Sequence, residues 1–102
     1  MEKMYGGKSI SVNDEGFLTD LSQWTKEVAE DIAKEENITV TDKHFEVLAY
    51  LQDQYKNDNP LSIRSVGKSG VVGIKELYEL FPKGPLKISS KMAGIPKPKS
   101  CI

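Results

Sequence analysis

One cysteine, one histidine and one tryptophan stand among 102 residues, and each scarcity closes off a kind of chemistry. A lone cysteine cannot form a disulfide within the chain, so the fold must rest on its apolar core, which suits a reducing compartment. One histidine and one cysteine make no ligand set at metal-binding spacing, and no metal or other cofactor is expected. No apolar run approaches the ~20 residues that a membrane span needs, and no signal-peptide pattern opens the chain. A soluble, cytoplasmic protein with no membrane partner is expected. Gly67-Lys68-Ser69-Gly70 has the glycines of a phosphate loop. It lacks that loop's spacing and a strong preceding strand, so nucleotide binding is set aside.

What is present fits one globular domain with a modest core: 38% of residues are apolar and 28% charged. The net charge of −1 hides a division. Residues 1–60 carry 6 basic and 13 acidic side chains, whereas residues 61–102 carry 8 and 2. An acidic or anionic partner would be drawn to the C-terminal part.

Met1 to Gly7 reads as a weakly structured start. Lys8–Val12 alternates polar and apolar, and Asn13-Asp14-Glu15-Gly16 forms a turn cluster before Phe17-Leu18, so a β-hairpin is expected there. Helix signals begin near Asp20 or Ser22, with Trp24, Val28 and Ile32 on one stripe and Asn37 as the stop. Thr41 caps a second helix whose stripe is Phe45, Leu48, Leu51 and Tyr55, closed by Asn57–Pro60. Ser62 caps a short third helix holding Ile63 and Val66. A fourth runs from Gly73 to Leu80, burying Ile74, Leu77 and either Leu80 or Phe81. From Leu80 onwards four prolines and two glycines interrupt the chain, which predicts an irregular arm. The fold class is thus mainly α: a small helical bundle with an N-terminal β-hairpin, a helix-turn-helix-like C-terminal half and a flexible C-terminal arm. Residues 1–82 would form the hairpin and helical body, and 83–102 a mobile arm of the same single domain.

The residue that draws the eye is Cys101, next to the last position and preceded by Pro96-Lys97-Pro98-Lys99-Ser100. Prolines at 96 and 98 favour a solvated, semi-rigid spacer, which makes Cys101 a candidate exposed nucleophile. Only the thiolate attacks, and an unperturbed thiol titrates near ~8.5. Lys97 and Lys99 would favour the thiolate, and the terminal carboxylate would oppose it. Arg64 and Lys68, four apart, share a helical face. They are either a solvated basic face or a platform for the arm or for a partner's acidic surface. His44, beside Phe45 at a helix start, reads as a packed or surface histidine rather than a catalytic one. The segment from Ile63 to Leu80 has helix-turn-helix outlines, but Glu76 and Glu79 would repel phosphates, so no direct nucleic-acid contact is expected.

These residues bear a family resemblance. The ending Gly94-Ile95-Pro96-Lys97-Pro98-Lys99-Ser100-Cys101-Ile102 resembles the C-terminal arm of the DsrC/TusE sulfur-carrier family. Leu77-Tyr78-Glu79-Leu80-Phe81-Pro82-Lys83-Gly84-Pro85 is similar to the segment that leads into that arm. Ile63-Arg64 with Lys68, Gln23-Trp24, the Thr41–Phe45 helix start and Gly16-Phe17-Leu18 fit as well, so the resemblance covers nearly the whole chain.

The resemblance implies a helical domain with an N-terminal hairpin and a mobile arm whose penultimate cysteine, Cys101, accepts sulfane sulfur as a persulfide. It also implies a sulfurtransferase-type carrier rather than a stand-alone catalyst. The partners would be a sulfur-donor protein complex and an acceptor, either a tRNA-thiolating enzyme or a dissimilatory sulfite reductase. Members that work with sulfite reductase carry a second arm cysteine eleven residues before the last, where this chain has Ser90. The sequence therefore sits closer to one-cysteine, TusE-like members and to tRNA 2-thiouridine synthesis. A gamma-subunit-like partner of sulfite reductase is the alternative, and a DNA-binding regulator the more distant one.

Overall fold

The computed structural model describes residues 1–97, folded as a two-stranded antiparallel hairpin followed by five α-helices. The hairpin lies one strand earlier than its sequence signals suggest. Strands β1 (Glu2–Tyr5) and β2 (Lys8–Ser11) pair Glu2 with Ser11 and Tyr5 with Lys8. Gly6 and Gly7 make the turn with φ of 59° and 76°, the left-handed conformations that a two-residue hairpin loop requires. Met1–Gly7 is therefore structured. The expected hairpin around Asn13–Gly16 survives as a single bridge between Val12 and Leu18. Asn13 Oδ1 organises that turn by accepting the amides of Glu15 and Phe17. Tyr5, Ile10, Val12 and Phe17 are buried, so the hairpin gains stability from the helices it covers.

Helix α1 (Lys26–Glu35) starts later than expected, because Asp20 caps a single 3-10 turn at Leu21–Gln23 and Thr25 caps the helix proper. Val28, Ala29, Ile32 and Ala33 form its buried stripe, while Trp24 lies ahead of the helix, partly buried against the same core. Asn37, at φ 59°, ends it as expected. In α2 (Asp42–Lys56) the buried residues are His44, Val47, Leu48 and Leu51. The stripe is thus rotated from the expected one: Phe45 is only half-buried and Tyr55 is exposed.

Helix α3 (Ile63–Gly67) and helix α4 (Ile74–Leu80) are short and meet closely. A Cβ at Gly67 would fall 2.2 Å from Ile74 Cγ1, so glycine is required at that crossing. Leu77 and Phe81 are fully buried, but Ile74, expected in the core, is 45% exposed.

The main departure is helix α5 (Pro85–Ala93), in a stretch expected to be irregular arm. Its breakers bracket a helix instead of preventing one. Pro85 occupies the first helical position, where a missing N–H costs nothing, and Gly94 at φ 77° is the left-handed C-terminal cap. Leu86, Ile88, Met92 and Ala93 are buried against α1 and α2, which makes α5 the central helix of the body. The body thus extends to Ile95, itself 1% exposed, rather than stopping at residue 82.

Candidate functional site

The candidate site is the C-terminal end of α5 together with the chain that leaves it. The last carbonyls of a helix have no partners inside it. At α5 two of them are met by side chains from distant elements. The Trp24 indole N–H donates to Met92 O at 2.7 Å, and the Gln52 amide donates to Ala93 O at 2.8 Å. Gly94 then lies so near the indole that a Cβ there would sit 2.8 Å from Trp24 Cδ1. The amide of Ile95 turns back to Ser90 O at 3.2 Å. None of these contacts was legible beforehand, although Pro85 and Gly94 at helix-bounding spacing were a signal that could have revealed α5.

Two lysines tie this end to the acidic N-terminal half. Lys91 lies 3.6 Å from Glu36, both largely buried, and its chain covers Gly16. Lys97 pairs with Glu15 at 2.9 Å, and that hydrogen bond holds the Glu15 carboxyl below its ordinary range. Lys97 is therefore engaged by the body. Lys99 and Cys101 lie outside the described residues.

Arg64 and Lys68 form a second basic feature. Ser62 caps their helix, its hydroxyl accepting the Ser65 amide at 3.0 Å while the Ser62 amide donates to Ser65 Oγ at 3.1 Å. Both cations are exposed, and neither takes part in an ion pair among the described residues. On α4 the exposed side chains Ile74 and Tyr78 share one face. Lys43 reaches Glu76 on this helix at 4.0 Å and bonds Val71 O.

His44 is a structural histidine. Its Nδ1 accepts the Thr41 amide at 3.1 Å, and its Nε2 lies 3.0 Å from Leu80 O, which can only accept. The ring therefore carries its proton on Nε2. It stands edge-on to Phe81 at 5.2 Å, 4% exposed, and so locks α2 to the end of α4. Ser90, at the position where two-cysteine members carry a thiol, is fully buried within α5. Its Oγ has no hydrogen-bond partner among the described residues. A groove of about 680 Å³ beside Gly6 and Gly7 is lined by Glu27, Glu30, Asp31 and Lys34. It contains none of the candidate residues and repels anions, so it is not read as the site. No described helix is long and apolar enough to cross a membrane.

Comparison with known proteins accords with this geometry. Residues 4–102 match the family described as DsrC like protein. The chain is 39% identical to the gamma subunit of the dissimilatory-type sulfite reductase of Nitratidesulfovibrio vulgaris, over 99% of this chain and 98% of that one. It is also 39% identical to the sulfurtransferase TusE of Escherichia coli K12, over 97% and 98%. The crystal structure of dissimilatory sulfite reductase I contains a chain that superposes with a TM-score of 0.87 at 35% identity, each chain covered in full. The solution structure of Allochromatium vinosum DsrC gives 0.82 at 33% identity, again with full coverage. A match that runs through hairpin, helices and the cysteine-bearing end alike has one reading: this chain belongs to the DsrC-like family.

Proposed function

We propose that this chain is a cytoplasmic sulfur-relay carrier in which Cys101 holds sulfane sulfur as a persulfide and passes it to an acceptor protein. The observation that supports this most is the family match extending to residue 102, over a basic tail that bears the chain's one thiol. The likeness to TusE sulfurtransferases favours an acceptor in tRNA thiolation.

Loading is an exchange with no net redox change. The Cys101 thiolate attacks the outer sulfur of a donor persulfide, forming a new S–S bond at Cys101 as the donor's S–S bond breaks. The donor departs as a thiolate, and the persulfide keeps its proton. The rate follows the thiolate fraction and access to the sulfur, so Lys99 acts by supporting the anion, while Lys97 is engaged by Glu15. Arg64 and Lys68, exposed and without ion pairs among the described residues, offer a docking platform for an acidic partner surface. The carrier adds no cofactor; the chemistry belongs to the thiol and to its partners' sites.

Replacing Cys101 with Ser tests the reading. After treatment with a persulfide donor, the intact mass of the parent chain should rise by one sulfur atom, and that of C101S should not. A gain in C101S would rule out Cys101 as the carrier. A second reading, a partner of dissimilatory sulfite reductase, is favoured by the relative that bears the gamma-subunit name. Stable co-purification with a sirohaem enzyme would select it, and association with a donor complex or tRNA-modifying enzyme would select the relay.

A further inference from the structure

The last buried residue is Ile95, Lys97 beyond it pairs with Glu15, and Cys101 follows six residues after Ile95. Six residues span at most about 20 Å fully extended. Pro96, the first residue beyond Ile95, has its φ fixed by its ring, so the direction in which the chain leaves the body is set at the base of that tether. Beside the Lys97–Glu15 pair, what holds that base is the pair of side-chain donors on the last carbonyls of α5: Trp24 on Met92 and Gln52 on Ala93. Backbone bonds within α5 fix the helix itself. These two bonds instead tie its terminus to the segment just ahead of α1 and to the later part of α2. The left-handed Gly94 packs closely against the same Trp24 side chain.

We infer that Trp24 and Gln52 are positioning residues for sulfur transfer: their hydrogen bonds to the end of α5 aim the thiol-bearing tail. This rests on the carrier reading, because a tail without a transferable sulfur would need no aim. The two residues come from separate elements and meet adjacent carbonyls, as expected for a clamp on an exit point rather than for general packing.

Because Cys101 is the only cysteine, a nitroxide can be attached to it alone. Broadening of backbone amides then reports where the tail goes in the full chain. Trp24→Phe keeps a ring and removes the donor, and Gln52→Leu removes the other donor at a half-buried site. In each variant the exchange protection of the Ile95 amide should fall about 5-fold, the factor that one ordinary hydrogen bond represents. Broadening at Asn13–Phe17, which Lys91 and Lys97 bring beside the tail's base, should weaken and spread. Folded variants with unchanged protection and an unchanged broadening pattern would overturn the clamp. Should W24F fail to fold, Q52L alone decides by the same two readouts. Loading of Cys101 by inorganic polysulfide, followed by mass, should be unaltered in both variants. Failure of loading in the parent chain would overturn the carrier reading and, with it, the transfer role, while the broadening data would still show whether the clamp aims the tail.

Discussion

Helices α3–α4 and helix α5 are built from similar material, short segments that carry lysine or arginine and are bounded by glycine, yet they end in opposite states. In α5 almost every side chain is buried, and two cations are paired: Lys91 within it with Glu36, and Lys97 beyond it with Glu15. In α3 and α4 only Val66 and Leu77 are buried, and Arg64 and Lys68 stand exposed without ion pairs among the described residues. The excess positive charge of the C-terminal part therefore divides into two functions. One share fastens the base of the tail to the acidic N-terminal half, and the other faces outwards where a partner can use it. The four cations that look alike in sequence do not form one platform.

The largest test of that contrast is truncation. Leu86→Ala in α5 should cost about 2–5 kcal/mol, because it empties a fully buried site against α1 and α2. Ile74→Ala in α4, where the side chain is 45% exposed, should cost under about 1 kcal/mol. Urea denaturation midpoints at constant slope measure both. Equal losses would mean that α4 is as much a part of the core as α5.

Charge reversal is the next test. Arg64→Glu with Lys68→Glu should slow association with an acidic sulfur-donor or acceptor protein by about tenfold at low salt, with the difference shrinking as salt is raised. Stability should shift by less than about 0.5 kcal/mol, since neither side chain is paired among the described residues. Stopped-flow association across a salt series reads the effect. An unchanged rate would assign the docking role elsewhere.

How much of this could be read in the sequence depended on what each signal constrained. Thr41, Ser62 and Asn37 marked helix ends correctly because caps act locally, through one or two backbone groups. Leu48, Leu51, Val66 and Leu77 were placed correctly because a 3.6-residue period is a local property as well. Tyr55 and Ile74 fit the same period and came out exposed, because periodicity gives a face and cannot say where the neighbouring element stops. The prolines around α5 read as breakers by composition, although a proline at the first helical position is a start signal. Strand β1 was hidden because its partner strand and the Gly6-Gly7 turn fix it more than its own residues do. Cys101 and Lys99, the centre of the sequence reading, lie outside the described residues, so the structure bears on the tail's base and not on its tip.

The smallest effect concerns pH and sharpens the contrast at the other end of the chain. Lys3 and the Tyr5 hydroxyl both donate to Glu35 Oε1, at 3.1 and 2.8 Å. Burial alone would raise the Glu35 carboxyl, but the bonds from Lys3 and Tyr5 outweigh it and leave the group below its ordinary 4.5. Lys3 is held above its ordinary 10.5 by Tyr5 and Glu35, and burial raises Tyr5 above 10.0. The Glu35 contribution is therefore present above about pH 4.5 and is lost as pH falls through its lower folded value. The contributions of Lys3 and Tyr5 are present below about pH 10 and are lost as pH rises through their raised values. Both charged partners are 38% exposed, so the whole effect should stay under about 1 kcal/mol. Denaturation midpoints of Glu35→Gln and the parent chain should converge as pH falls through the lowered Glu35 value; a gap that persists in acid beyond that would exclude this cluster as its source.

The account depends most on Cys101 taking up sulfur and giving it away. Loading the chain with labelled sulfur, digesting it and following the C-terminal peptide by mass spectrometry tests this directly, before and after an acceptor protein is added. The sulfur should reside on Cys101 and then leave it as the acceptor gains the label. Label found on no peptide containing Cys101, or label on Cys101 that no acceptor can remove, would contradict a relay.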